Sequence, residues 1–438
     1  MNRVLICHVA GGAQDARCRP LYEYARTLTS KQQALGYDRG IDAEFLTFDN
    51  VDWGVGESQL RRQVEALAAG REVVLFLHTV FPFVGGALPL SLFADYPSVL
   101  FPHQLELLPG EGQHQTSIYL QHADTVVVTA RDEIGAAERL SASLGLPSVT
   151  ARFVVVPQPP AFRPEEAIDL QTKSDDVIYF GMLRQGKGLD EVVDLARLLA
   201  SEPGPKARWL DVVGHVSSRR DSLALLIDLV IRAWDLFPPD GGGLERLSLA
   251  EATELVDHLE GRLGNEVSRS LRRRLGPRLV RRLQAPREAL ESHRRLPLRI
   301  HVSVPRAEAS RLLARARYAY LPVEGGELHR PSRRVGLTAH SSSAPTVAAH
   351  GVVLVAPIGE RTPPALRHGV VVPADSAREA HAAIQRLDRQ PEARTAAARR
   401  ALEWSAGSRW QTVAERTVRA ALGSLERFGE RRFLGAAV

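Results

Sequence analysis

The chain has 438 residues, of which 44% are hydrophobic and 24% charged, and these proportions exclude wholesale disorder. No apolar run reaches the roughly 20 residues that span a bilayer, and the run after Arg3 is too short for a secretory signal. The net charge of +5 is local, because residues 269–295 hold ten arginines against two acidic residues. With only Cys7 and Cys18, we expect no disulfide framework and a cytoplasmic location.

The first part of the chain alternates strands with helices. Its apolar runs are continuous, which is typical of a parallel sheet covered by helices on both faces. The predicted strands are 3–9, 43–48, 73–77, 98–101, 125–129 and 153–156, and the predicted helices are 21–35, 57–69 and 132–144.

A second alternating set follows a proline-rich stretch and a polar linker. Its predicted strands are 176–180, 208–213, 298–302, 318–323, 352–356 and 369–372, and its predicted helices are 189–200, 307–316 and 344–350. Residues 217–296 interrupt this set with an arginine-rich helical insertion. The sequence thus predicts a first α/β domain over 1–164, a linker over 165–175, a second α/β domain over 176–415 and a helical tail over 416–438.

A glycine-rich loop follows the strand at 176–180. It contains Gly181-Met-Leu-Arg184-Gln-Gly186-Lys187-Gly188, and a helix begins at Leu189. Glycines let the backbone approach an anion, and a helix N-terminus offers unpaired amides and a positive dipole end. The fork of Arg184 and the compact charge of Lys187 suit phosphate oxygens. The motif therefore predicts a diphosphate site.

The same spacing, G-x-x-x-x-G-K, also fits the P-loop of a nucleotide hydrolase. A P-loop needs Ser or Thr as the next residue to hold magnesium, whereas this chain has Gly188. A P-loop also usually opens its sheet, and here a complete α/β half comes first. A P-loop-like hydrolase is an alternative that the motif leaves open.

The stretch Tyr179-Phe-Gly-x-Leu-Arg184-x-Gly-Lys187-Gly-Leu-Asp190 resembles the phosphate-binding signature of retaining GT-B glycosyltransferases of the GT4 type. The stretches Val154-Val-Val-Pro157 and Pro373-Ala-Asp375 resemble the crossover between that family's domains and a late strand exit. The resemblance implies two Rossmann-like domains that face a cleft, with the donor held mainly by the second. It implies that Arg184 and Lys187 are catalytic and contact the donor diphosphate, with no metal and no cofactor.

The chain departs from the family at its Glu-x7-Glu element. The two acidic positions would fall near Thr338 and Thr346, so both carboxylates are missing. A turn of small residues before a helix remains, and we expect its amides and hydroxyls to face the distal phosphate (Ser341, Ser342 and Ser343). Glu324 and Glu327, in the preceding loop, are candidates to replace the missing acids.

His78 and His103 each follow a strand of the first half, at the edge where open α/β sheets place ligands. In the resembling enzymes a histidine here lies beside the donor sugar, so both are candidate catalytic residues that bond a sugar hydroxyl. The alternative is an ordinary loop histidine bonded to backbone. Gly11 and Gly12 follow the first strand and are candidates to approach the sugar phosphate or the acceptor, or else form a tight turn.

Other patterns favour structural interpretations. His103, Glu106 and His114 match no defined metal-ligand spacing, and nothing in the pattern marks Cys7 as a nucleophile. Residues 269–295 lack aromatic side chains for base stacking, which favours a solvated helix face over nucleic-acid binding and leaves an acidic acceptor or anionic lipid open. The apolar face of 222–237 predicts packing within the chain or a homodimer contact.

We therefore predict a retaining, metal-independent glycosyltransferase of specialised metabolism. It would transfer a sugar from a UDP or GDP donor to a small-molecule or saccharide acceptor. The departing phosphate would take the acceptor proton, as the resemblance implies. A catalytically inactive nucleotide-binding or scaffold protein of the same fold is the alternative that the missing acids favour.

Overall fold

The computed structural model describes residues 3–11, 19–36, 40–48, 53–79, 90–102, 119–183, 188–202, 208–216, 297–302, 304–322, 342–359, 362 and 364–436. The predicted insertion at 217–296 lies outside these residues, and so do its proposed homodimer contact and its arginine-rich segment.

The first half of the chain forms one six-stranded parallel sheet. Its strands are β1 (Val4–Gly11), β2 (Ile41–Phe48), β3 (Glu72–Thr79), β4 (Ser98–Pro102), β5 (Thr125–Val128) and β6 (Arg152–Val155). Its helices are α1 (Arg19–Gly36), α2 (Trp53–Ala68), α3 (Leu90–Asp95) and α4 (Asp132–Ser143). Every element predicted in this half is present within four residues of its predicted limits, and α3 was not predicted.

The strands of this sheet are apolar along their whole length because both faces are covered. Leu5 and Cys7 of β1 enter one buried cluster, whereas Val4 and Ile6 enter another on the opposite face. The strand order is β2-β1-β3-β4-β5-β6. The winding direction therefore changes between β1 and β3, which pair in parallel.

The second half forms another six-stranded parallel sheet. Its strands are β7 (Ser174–Leu183), β8 (Leu210–Val216), β9 (Leu298–Val302), β10 (Ala316–Tyr320), β11 (Val353–Ala356) and β12 (Val371–Pro373). Its helices are α5 (Leu189–Ala200), α6 (Arg306–Arg315), α7 (Ser343–Ala349), α8 (Pro364–Arg367), α9 (Ala377–Arg389) and α10 (Pro391–Ala406). The predicted strands and helices of this half are again present, within three residues of their limits.

The last helix, α11 (Trp410–Ala436), covers one face of the first sheet. Val413 and Val418 belong to the same buried cluster as Ile6 and Phe76 of that sheet. Burial of such aliphatic side chains contributes roughly 1.5–3 kcal/mol each. The C-terminal segment is thus part of the core of the first sheet.

The chain divides into two compact units. The first comprises 1–160 and 405–438 with a short segment at 339–342, and the second comprises 161–338 and 343–404. We predicted the domain limits at 164 and 415 from composition and helical pattern. The contacts place the divisions at Pro160 and Ser405, because α11 packs on the first sheet.

Candidate functional site

The second sheet changes winding direction between β7 and β10. Strands β8 and β9 lie on one side of β7, and strands β10, β11 and β12 lie on the other. Open parallel sheets bind ligands beyond the carboxyl ends of their strands at such a switch point. The first three residues of the glycine-rich motif end β7, at the edge where this rule places a ligand.

Gly188 fixes the end of this motif against the neighbouring strand. It is the N-cap of α5 with a φ of 66°, a left-handed conformation that favours glycine. A Cβ atom at this position would lie 2.0 Å from the carbonyl oxygen of Pro322, which follows β10. Only glycine meets both conditions. The N-terminus of α5, with its positive dipole end, is therefore held at the switch point.

Gly181 lies in β7 beside a second glycine and a serine. It pairs in register with Gly214 of β8, where a Cβ atom would lie 2.4 Å from the Gly181 carbonyl oxygen. A Cβ atom at Gly181 itself would lie 3.2 Å from Oγ of Ser343, the first residue of α7. The structure thus brings together two residues that we predicted for phosphate binding, Gly181 and Ser343.

Several predicted site residues lie outside the described part of the chain. They are Gly12, His103, Arg184, Lys187, Glu324, Glu327 and Ser341. Their roles stay predictions. Ser342, by contrast, is described: it directly precedes α7 and is partly exposed.

Thr346 occupies a position where the resemblance places a carboxylate. It is fully buried in α7, and its Oγ1 accepts a hydrogen bond from the Ala161 amide over 2.8 Å. Four residues on, His350 is also buried, with its Nδ1 2.7 Å from the Thr346 carbonyl oxygen and its Nε2 2.8 Å from the Ser310 hydroxyl. Burial lowers the pKa of His350 to about 4. Thr346 therefore serves packing, and no acid stands in its place.

The first sheet presents different chemistry at its own switch point. Gly11 ends β1 and pairs with Phe48 of β2. His78, next to last in β3, is fully buried, and its Nε2 lies 2.9 Å from Nδ1 of His8 in β1. Aromatic rings surround the pair, since Phe76 and Phe101 lie with centroids 5.0 and 5.9 Å from the His78 ring. This packing holds the His78 imidazole in place. Its contact with a sugar stays a prediction.

His8 and its partner Gln32 are site residues that the sequence analysis missed. His8 is fully buried, and burial lowers its pKa to about 4, so the imidazole is neutral at pH 7. Its Nε2 lies 2.6 Å from Oε1 of Gln32 in α1, which is also buried. One signal was available: a histidine inside an apolar strand needs a buried polar partner.

Cys7, the neighbour of His8, faces the opposite core. Burial, with a smaller contribution from Glu44, raises the pKa of the Cys7 thiol to about 12. The thiol stays protonated at neutral pH, and thiolates are the reactive form. This agrees with the interpretation of Cys7 as a small buried hydrophobe.

The described ranges also bear on metal binding and on membrane insertion. No group of three or more His, Cys, Asp or Glu side chains there is arranged to hold a metal ion. No helix there is both long and apolar enough to cross a bilayer. The proposed independence from metal stays a prediction.

The sequence matches no protein-family model and no curated protein. Solved structures resemble it over nearly its whole length. A glycosyltransferase from Rickettsia africae has a TM-score of 0.54 at 8% identity, covering 97% of this chain and 99% of its own. The N-terminal domain of trehalose-6-phosphate phosphatase from Candida albicans has a TM-score of 0.54 at 10% identity, covering 97% of each chain.

A third structure, the α,α-trehalose 6-phosphate synthase from Burkholderia multivorans, has a TM-score of 0.50 at 14% identity and covers 100% of both chains. Identities this low concern the fold alone. Two units, each with a six-stranded parallel sheet of Rossmann type, form the architecture of the GT-B fold. The predicted fold class is therefore confirmed: this chain has two Rossmann-like α/β units of the GT-B type.

Proposed function

We propose that this protein is a retaining, metal-independent glycosyltransferase that uses a nucleoside-diphosphate sugar. The observation that carries the proposal is the close approach of Gly188 to the Pro322 carbonyl, which holds the N-terminus of α5 at the switch point of the second sheet. In the sequence, Arg184 and Lys187 lie between the end of β7 and Gly188. Two cations that directly precede an anchored helix N-terminus in the sequence suit a diphosphate.

The chemistry follows from the charge that develops as the glycosidic bond breaks. The departing diphosphate gains negative charge, and Arg184 and Lys187 stabilise it with fixed positive charges. The sugar passes through an oxocarbenium-like state. The departing phosphate accepts the acceptor's proton on the same face, which retains the anomeric configuration and requires no separate carboxylate base.

The same geometry favours a donor site over a P-loop hydrolase. A P-loop requires a hydroxyl side chain at position 188 to hold magnesium. The left-handed φ of Gly188 and the 2.0 Å approach to Pro322 leave no room for any side chain there. The names of the similar structures from Rickettsia africae and Burkholderia multivorans, a glycosyltransferase and a trehalose 6-phosphate synthase, give further support.

The test combines nucleotide binding with turnover. Wild-type protein is scanned for thermal stabilisation by UDP, GDP, ADP and dTDP, and then for release of nucleotide from UDP- and GDP-sugars. We expect UDP or GDP to stabilise the protein. Lys187→Ala should weaken that binding about ten- to a hundredfold, because a hydrogen bond to a charged group contributes roughly 1.5–3 kcal/mol.

Lys31→Ala is the matched control, since Lys31 is exposed on α1 of the first unit. It should bind and turn over like wild type. Nucleotide affinity and turnover in Lys187→Ala equal to those of Lys31→Ala would refute the donor site.

A second candidate function is a nucleotide-binding protein of this fold without transferase activity. The buried, structurally engaged Thr346 in place of an acid favours it. It predicts stabilisation by UDP or GDP together with no release of nucleotide from any sugar donor, in the presence or absence of acceptors. Measurable donor hydrolysis by purified protein would dismiss it.

A further inference from the structure

A chain of four buried polar side chains runs through the first unit. It links His78 of β3, His8 of β1, Gln32 of α1 and Thr417 of α11, each of them fully buried. The distances along it are 2.9 Å from His78 Nε2 to His8 Nδ1, 2.6 Å from His8 Nε2 to Gln32 Oε1, and 2.8 Å from Gln32 Nε2 to Thr417 Oγ1. All three are hydrogen-bond distances.

The direction of each hydrogen bond is determined from the Thr417 end. The Thr417 hydroxyl lies 2.9 Å from the Val413 carbonyl oxygen and 3.0 Å from that of Ala414. Carbonyl oxygens only accept, so the single hydroxyl proton is donated to the helix backbone. Thr417 Oγ1 must then accept from Gln32, which orients the amide with Nε2 towards Thr417 and Oε1 towards His8.

The same reasoning extends to both imidazoles. Gln32 Oε1 only accepts, so Nε2 of His8 carries a proton. His8 is neutral at pH 7 because burial lowers its pKa to about 4, so its Nδ1 has a lone pair. That lone pair faces Nε2 of His78 at 2.9 Å, so His78 must donate from Nε2.

We propose that Thr417, Gln32 and His8 are positioning residues that keep a proton on Nε2 of His78, from which it donates to Nδ1 of His8. The geometry carries this assignment, because reversing any one bond would set two donors or two acceptors against each other. An aromatic shell of Phe76, Phe101 and Tyr24 surrounds the two imidazoles, and buried mismatches of this kind are costly.

The role of His78 in catalysis rests on the proposed function, whereas the hydrogen-bond directions do not. As a transferase residue, His78 has its Nε2 proton engaged with Nδ1 of His8, so that proton is not available to a substrate. The Nε2–H group is thereby assigned to orienting the ring rather than to general-acid catalysis.

Histidine tautomers are measured directly by long-range ¹⁵N–¹H correlation on ligand-free protein with ¹⁵N-labelled histidine. Signals are assigned through His8→Gln and His78→Gln. We expect Nε2 of both residues to bear a proton at pH 7 and Nδ1 of His8 to show the shift of a lone-pair nitrogen. A proton on Nδ1 of His8, or its absence from Nε2 of His78, would overturn the assignment.

A matched pair of variants tests the far end of the chain. Thr417→Val keeps the shape and removes the hydroxyl, whereas Thr417→Ser keeps it. We expect Thr417→Val to give mixed tautomers at His8 and several-fold lower turnover, and Thr417→Ser to behave as wild type. Unchanged tautomers in Thr417→Val would overturn the role of Thr417. Since the spectra use ligand-free protein, a failure of the proposed transferase activity would leave the tautomer result intact.

Discussion

The switch points of the two sheets differ in the kind of residue that forms them. In the first unit, β1 and β3 carry imidazoles that are buried and bonded to one another. In the second unit, β7 and α5 carry glycines whose missing side chains let backbone and helix ends approach closely. The first switch point thus positions side chains, whereas the second positions backbone atoms. We therefore expect the first to tolerate few substitutions that change polarity, and the second to tolerate few that add volume.

The largest effect should come from adding one carbon to the second edge. Gly188→Ala places a Cβ atom 2.0 Å from the Pro322 carbonyl oxygen at a φ of 66°. We expect a loss of about 4 kcal/mol or more in the free energy of unfolding, together with loss of nucleotide stabilisation. Urea unfolding measures the first and thermal shift the second.

Gly145→Ala is the matched control, because Gly145 has a φ of 68° and a Cβ atom added there would have no heavy atom within 4 Å. It should lose about 1 kcal/mol, the cost of the left-handed backbone alone. Equal losses in the two variants would show that the approach to Pro322 is not what requires glycine at position 188.

Acid should destabilise both units to a similar degree, through His8 in one and His350 in the other. Each has a folded pKa of about 4 against an unfolded value near 6.5. The unfolded chain therefore binds more protons between these values, so the contribution of each neutral histidine to stability is complete above pH 6.5 and is lost as pH falls towards 4. The loss is about 3 kcal/mol per histidine.

Hydrogen exchange read by mass spectrometry resolves this loss unit by unit at pH 7, 5.5 and 4.5. His8→Gln should flatten the pH dependence of the first unit, and His350→Gln that of the second. A flattened response in the wrong unit, or in neither, would contradict the assignment of acid sensitivity to these two side chains.

The smallest effect on stability should come from Gly181→Ala. Its Cβ would lie 3.2 Å from Oγ of Ser343, a hydroxyl that can rotate away, so we expect a change below about 1 kcal/mol. Nucleotide affinity should nevertheless fall, because the new methyl group stands at the predicted phosphate edge. Gly135→Ala, which meets only the flexible end of Arg139 at 3.2 Å, should leave affinity unchanged. Affinity that falls equally in both would contradict a site at Gly181.

Local patterns were sufficient to predict most of the fold. The helix predicted at 189–200 and the strand at 298–302 have the predicted limits, since both have a clear apolar period and flanking turn residues. The short helices α3 and α8, of six and four residues, were not predicted because they span too few residues to establish a period. The longer helices α9 and α10 were not predicted as separate helices either.

The residues of the candidate site also differ in how far the sequence could predict them. Gly181 and Gly188 could be identified from spacing alone, because a glycine-rich turn between a strand and a helix is a local pattern. His8 was visible only as a polar residue in an apolar strand. Gln32 and Thr417 gave no local sign, since 385 positions separate them and their hydrogen bond exists only when α11 packs against the first sheet.

Hydrophobic period, turn chemistry and the glycine-rich loop are properties of neighbouring residues, so the amino-acid order alone was sufficient to predict two parallel α/β sheets and to propose a diphosphate site at the end of β7. Folding in three dimensions decided which polar groups meet. The alignment of His78, His8, Gln32 and Thr417, and the seating of Gly188 on Pro322, depend on elements brought together from distant parts of the chain. Hydrogen bonds and steric contacts act over a few ångströms, and only packing brings such residues within that range.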